Sequence, residues 1–132
     1  MTTPSVSNNI VVDSSGWIEY IASGPKCTQY STHIESQTAI LLMPSIVAYE
    51  VYKKLLREAS HSVADQFFSK AIAFDKRLIS LDLDIALKAA RMSVEDNLPM
   101  ADAIIYATAR HHDAQLITSD SHFRNLPHVK FI

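Results

Sequence analysis

Residues 9–21 read NIVVDSSGWIEYI, and the order of residue types in this stretch decides the fold class. Asn9, Ile10, Val11 and Val12 make a short run rich in β-branched side chains, which favours an extended strand, and the run stops at Asp13. Ser14, Ser15 and Gly16 then open a helix through Trp17, Ile18 and Ile21. A strand that passes straight into a helix is the repeating unit of α/β folds, and here an acid, Asp13, stands at the junction.

The same order recurs downstream. Ala39 to Met43 is a second apolar run that stops at Pro44, after which Ser45 is expected to cap a helix carrying Ala48, Val51, Tyr52, Leu55 and Ala59. Ser62 and Asp65 have capping-box spacing for a helix through Phe67, Phe68, Ala71 and Ile72. Leu78-Ile79-Ser80 suits a short strand, and Asp82 or Asp84 would cap a helix through Ile85, Leu87, Ala90 and Met92. Pro99 introduces a helix in which Ala101, Ile104, Ile105, Thr108 and Ala109 form one apolar stripe. Residues 115–118 and 129–132 supply the last two strands. Short apolar strands alternating with amphipathic helices predict an α/β sandwich with a short, largely parallel sheet.

Length and composition narrow the function classes. With 132 residues, 48% of them hydrophobic, the chain is expected to form one domain over 1–132, with 1–8 as a loose extension. A net charge of -2 excludes a polycationic nucleic-acid binder. Two glycines are too few for a dinucleotide fingerprint or a P-loop. The single Cys27 excludes an internal disulfide and a cysteine-based zinc cage. No secretory leader or membrane span is read in the sequence, so a cytoplasmic location is expected.

Four acids sit where an open parallel sheet gathers ligands, at strand carboxyl ends and adjacent helix starts. Asp13 ends the first strand, Glu50 lies in the helix after the second, Asp102 is in the first turns of the Pro99 helix, and Asp120 follows the Leu116-Ile117-Thr118 strand. Carboxylates brought together repel and resist ionisation, and a divalent cation removes that penalty. Oxygen donors without a cysteine or paired-histidine motif favour Mg²⁺ or Mn²⁺ over zinc. Taken singly, each acid also suits a helix cap or a solvated surface position.

The segments IVVDSSGWIEY (10–20), PSIVAYEVYKKLLR (44–57), LPMADAIIYATAR (98–110) and LITSDSHF (116–123), in this order and spacing, resemble the PIN domain, specifically the VapC toxins of bacterial toxin–antitoxin pairs. The resemblance runs from Asn9 to Ile132 and implies a PIN-like α/β/α sandwich. It places Asp13, Glu50, Asp102 and Asp120 at the family's metal positions, with Ser14, Thr118 and Ser119 near enough to orient a carboxylate or water. His122 departs from the pattern, because many relatives carry a further acid there.

What the resemblance implies is a metal-dependent endoribonuclease using one or two Mg²⁺ or Mn²⁺ ions and leaving 5′-phosphate and 3′-hydroxyl ends. It also implies a homodimer and a cognate VapB-type antitoxin that blocks the site with a basic or arginine-bearing tail. The alternative from another class is a catalytically inactive PIN module that binds RNA or a partner protein. A metal-free ribonuclease using His111 and His112 is disfavoured, since adjacent helical residues diverge by roughly 100° and cannot flank one phosphate. A phosphatase of the haloacid-dehalogenase type needs an acid at position 15, where this chain has Ser15.

Charge is unevenly distributed. Residues 53–91 carry eight bases and five acids, a net +3 between two acidic thirds. Lys53, Lys54, Arg57, Lys70, Lys76, Arg77, Lys88 and Arg91 are candidate phosphate contacts, although helix charges of this kind also serve as solvated faces. Trp17, Tyr20, Tyr49 and Tyr52 can stack on bases or pack the core.

Overall fold

A computed structural model describes residues 7–73 and 77–132, with residues 71–73 described as backbone. In chain order the elements are β1 (Asn9–Val12), α1 (Ser14–Ile21), α2 (Cys27–Ile34), β2 (Ile40–Pro44), α3 (Ser45–Glu58), α4 (His61–Ala73), β3 (Arg77–Ile79), α5 (Leu83–Asp96), α6 (Met100–His111), β4 (Gln115–Thr118), a 3-10 turn (Ser121–Phe123) and β5 (Val129–Phe131). The strands form one sheet in the order β3-β2-β1-β4-β5, and every pairing is parallel.

This order explains both the core and the site. Two connections carry the chain from β1 through β2 to β3, and the next jumps back past β1 to β4. Right-handed crossovers therefore place the helices between β1 and β3 on one face and α5 and α6 on the other. Covered on both faces, the central strands are apolar at their centres: Val11, Val12, Leu116 and Ile117 are fully buried. The direction of winding reverses between β1 and β4, which pair with Val12 opposite Ile117. Such a switch point leaves a crevice at the carboxyl ends of its two strands, where Asp13 and Asp120 follow.

Helix α1 packs against α2 because Gly16 leaves room for it. A Cβ at position 16 would stand 2.7 Å from Tyr30 Cδ1 and 2.8 Å from Val12 Cγ1, closer than real contacts allow. Tyr30 is completely buried in this gap.

Several local expectations are corrected. Ser45 is the first helical residue of α3 rather than its cap; Pro44 holds that place without a side-chain bond. Ser60, not Ser62, accepts the Val63 N–H at the start of α4, and Asp65 instead accepts from the Tyr52 hydroxyl. Asp82 caps α5 through the Ile85 N–H, but the buried face is Ile85 and Ala89, while Leu87 and Ala90 are exposed. The rise of the helix puts residues 85, 89 and 92 on one face, and a 3.6-residue period excludes 87 and 90. Helix α6 is buried almost all round, from Ala103 through Ala109 with only Ile104 partly exposed, so its apolar stripe understates its burial. Helix α2 was not legible at all. The extension before residue 7, Lys76, and the side chains of Ala71 and Ile72 lie outside the described residues.

Candidate metal centre

Asp13 is the fixed point of the site. Its N–H donates to the Ile117 carbonyl at 3.0 Å, continuing the β1–β4 ladder by one residue, and its side chain is 2% exposed. Oδ1 accepts the Ser14 N–H at 2.8 Å, and Oδ2 accepts the hydroxyls of Thr118 at 2.9 Å and Ser15 at 3.2 Å. Even so, burial outweighs these three bonds and raises the carboxyl above its ordinary range, with Asp120 adding repulsion.

Thr118 joins the two strand ends. Its hydroxyl donates to Asp13 at 2.9 Å and accepts the Asp120 N–H at 3.0 Å, serving as donor to one acid and acceptor from the other. Asp120 in turn caps the 3-10 turn by accepting the His122 N–H at 2.9 Å, while Phe123, fully buried, anchors that turn in the core.

The other two acids come from helices. Asp102 lies in the first turn of α6, whose positive end favours a carboxylate, yet burial followed by the charges of Asp120 and Asp13 lifts it to about 6. Glu50, in the second turn of α3, is also raised, first by burial, then by Asp13 and Asp120, with Ser14 and Lys53 opposing. Four acids from four separate segments thus feel one another. Glu50 Oε1 is buried without a hydrogen-bond partner. An acceptor without a donor, beside carboxyls that resist losing their protons, is the signature of a site short of positive charge, and these all-oxygen donors suit Mg²⁺ or Mn²⁺.

Ser14 contributes its backbone N–H to Asp13 and its side chain to Glu50. Ser119 does not reach a carboxylate: its hydroxyl pairs with the Tyr30 hydroxyl at 2.8 Å, bracing the β4 end against α2. Sequence reasoning missed two other participants. Ser15 bonds Asp13 directly, and the His122 ring sits with Nδ1 2.9 Å from Asp102 Oδ2 and 3.2 Å from Asp120 Oδ1. Its position two residues after Asp120 was the available signal, visible only as a departure from a pattern. His111 and His112 lie at the opposite end of α6 from Asp102, where His111 Nδ1 meets Lys88 Nζ at 2.8 Å and Asp84 at 3.6 Å, so they play no part here.

Lys53, Lys54 and Arg57 are exposed on α3 beyond Glu50. Lys53 Nζ lies 5.6 Å from the centroid of the Tyr49 ring, which is 58% exposed, whereas Lys54 pairs loosely with Glu58 at 4.0 Å. Trp17 belongs to the core, edge-on to Tyr20 and Phe67.

Fold and site together define a class: small parallel α/β proteins whose sheet switch point carries a cluster of carboxylates. Within it, the chain belongs to the PIN domain family, which matches residues 10–129. The fold is shared with solved structures of low sequence identity. A toxin–antitoxin complex from Klebsiella pneumoniae is 24% identical, with 92% of this chain and 95% of that one covered and a TM-score of 0.74. VapBC2 from Rickettsia felis, bound to a DNA fragment from its promoter, is 14% identical with coverages of 94% and 97% and a TM-score of 0.75. Mycobacterium tuberculosis VapC20, a sarcin-ricin loop cleaving toxin, is 22% identical with coverages of 80% and 85% and a TM-score of 0.66. No curated protein matches the chain by sequence. Among the described residues no helix is long and apolar enough to cross a membrane.

Proposed function

We propose that this chain is a metal-dependent endoribonuclease acting in the cytoplasm as the toxin of a toxin–antitoxin pair. The observation that carries the reading is the charge deficit of the carboxylate cluster: Asp13, Glu50 and Asp102 are all raised, and Glu50 keeps a buried oxygen without a donor. When bound, one or two Mg²⁺ or Mn²⁺ ions supply activation of water and neutralisation of the leaving 3′ oxygen of a phosphodiester, giving 5′-phosphate and 3′-hydroxyl ends.

The chain's own residues do the rest. Asp13 and Asp102 are the central ligands, the first fixed by a strand end and three hydrogen bonds, the second by a helix start; Glu50 and Asp120 complete the cage. Thr118 holds Asp13 in register with Asp120, so the ligands are set before any substrate arrives. On α3, Tyr49 and Lys53 offer an exposed ring and a cation next to Glu50, a pairing that suits a single-stranded nucleotide through stacking and phosphate contact. Lys54 and Arg57 extend that basic path.

A cognate VapB-type antitoxin belongs to the same reading, supported by the toxin–antitoxin complexes among the structures that share the fold; a homodimer is proposed with it. Cations are drawn to the cluster, so an inserted antitoxin arginine would pair with its carboxylates and compete with metal.

The test is purified protein incubated with cellular RNA in Mg²⁺, in Mn²⁺ and in a chelator, with Asp13→Asn alongside and the new 5′ ends sequenced. Metal-dependent cleavage lost in Asp13→Asn supports the nuclease; slowed growth on expression supports the toxin. A protein that binds its partner but neither cuts RNA nor slows growth is instead a catalytically inactive binding module.

A further inference from the structure

We infer that Nδ1 of His122 is a further protein ligand, beyond the four carboxylates, to an ion held by Asp102 and Asp120, and that this nitrogen makes the site prefer Mn²⁺ to Mg²⁺. The inference rests on the metal-dependent reading above and assigns one more donor to it.

Geometry is the first ground. One ligand atom from each of Asp102, Asp120 and His122 lies within 4.8 Å of the other two. Nδ1 stands 2.9 Å from Asp102 Oδ2 and 3.2 Å from Asp120 Oδ1. Neighbouring donors of an octahedral ion with bonds of about 2.1 Å are about 3 Å apart, so all three reach one ion with little movement of the backbone. The second ground is how the ring is held. The Asp120 carboxylate accepts the His122 N–H, and Phe123, buried against Tyr106 with centroids 6.4 Å apart, pins the following residue. The main chain thus presents His122 to the acids from a capped turn rather than from a free loop. An ion pair alone explains this poorly, because the His122 side chain is 54% exposed and such pairs contribute little.

Chemistry supplies the consequence. Nδ1 lies beside both carboxylates; as a ligand it gives its lone pair to the ion, with the ring neutral, any proton on Nδ1 released to solvent and the ring N–H on Nε2. Imidazole nitrogen suits transition ions, whereas Mg²⁺ keeps oxygen and water around it. A site with this histidine discriminates between the two ions more than an all-carboxylate site does.

Pulsed electron paramagnetic resonance on the metal-stripped full chain loaded with Mn²⁺ tests the assignment without relying on activity. The expected result is ¹⁴N modulation from a bound imidazole, absent in His122→Asn and in Asp102→Asn. Calorimetric titration with each ion should show the Mn²⁺-to-Mg²⁺ affinity ratio falling at least ~10-fold in His122→Asp. Circular dichroism confirms that these variants fold. Mn²⁺ bound without nitrogen modulation, or with modulation that survives in His122→Asn, overturns the inference and leaves the metal reading intact. No Mn²⁺ uptake by the wild-type chain overturns both.

Discussion

Replacing Asp102 by Asn should make the metal-free protein more stable while abolishing its function. The Asp102 carboxyl is lifted from 3.8 to about 6 by burial and by the charges of Asp120 and Asp13. Holding it ionised near neutral pH therefore costs the fold about 3 kcal/mol before solvent screening. The side chain is 15% exposed, so an observed gain of about 1–2 kcal/mol is expected from the neutral isostere, or roughly 4–8 °C in melting temperature. Loss of the His122 pairing opposes this by about 0.5 kcal/mol at most, since that ring is half in solvent. The sign with pH follows from the direction of the shift. Between the unfolded and folded values the folded protein binds the extra proton, so stability falls as pH rises from about 4 to about 6, and the penalty is complete above that. The gap between variant and wild type should thus be widest at about pH 7.5 and narrow by about pH 4.5. Urea denaturation of chelator-treated protein at both values measures it. Adding Mn²⁺ should reverse the order, because only the wild type gains binding energy, about 2.7 kcal/mol at a hundredfold excess over Kd. A variant no more stable than wild type without metal, or a gap that does not narrow in acid, refutes the reasoning.

Thr118→Val removes the donor to Asp13 and the acceptor for the Asp120 N–H at one stroke, and should cost about 1–3 kcal/mol in denaturant titration, with Thr118→Ser restoring most of it. Gly16→Ala drives a methyl into Tyr30 and Val12 and should lose about 1–3 kcal/mol, read as a lower melting temperature with metal affinity affected far less than by Asp13→Asn. Changing Lys53, Lys54 and Arg57 together to Ala should weaken RNA binding and flatten its salt dependence by about 0.7 per lost phosphate contact, while Mn²⁺ affinity is unchanged; an unaltered slope assigns the three to a solvated face.

The parts of the fold legible in the sequence were those where a single local signal decides. Ile10 to Val12 and Leu116 to Ile117 lie in central strands, and burial on both sides makes these runs apolar without interruption. The acids at their ends could be read for the same reason, since a strand that stops at Asp13 or runs into Asp120 fixes where the side chain falls. Helix α2 escaped because it buries Tyr30 and little else, and a sequence such as CTQYSTHI carries no stripe. The cap of α4 falls to Ser60, two residues before the capping-box serine, and the buried face of α5 is the one through Ile85 and Ala89 that the 3.6-residue period selects, not the one carrying Leu87 and Ala90. His122 was visible as an oddity only; its meeting with Asp102 depends on bringing the start of α6 against the turn after β4, a contact between residues twenty positions apart.

The switch point also times the appearance of the site during synthesis. Asp13 is made early, yet its hydroxyl partner Thr118 and its neighbour Asp120 are supplied only when β4 pairs with β1, more than a hundred residues later. A ribosome-bound chain that stops short of β4 holds Asp13, Glu50 and Asp102 but lacks Asp120 and the Thr118 hydroxyl that ties Asp13 to it. Long-range parallel pairing is entropically expensive and slow compared with forming a helix. For a protein proposed to cut RNA, the order of its strands acts as a safety delay: while the translating ribosome is still extending the chain toward β4, its own product has no assembled centre with which to attack it.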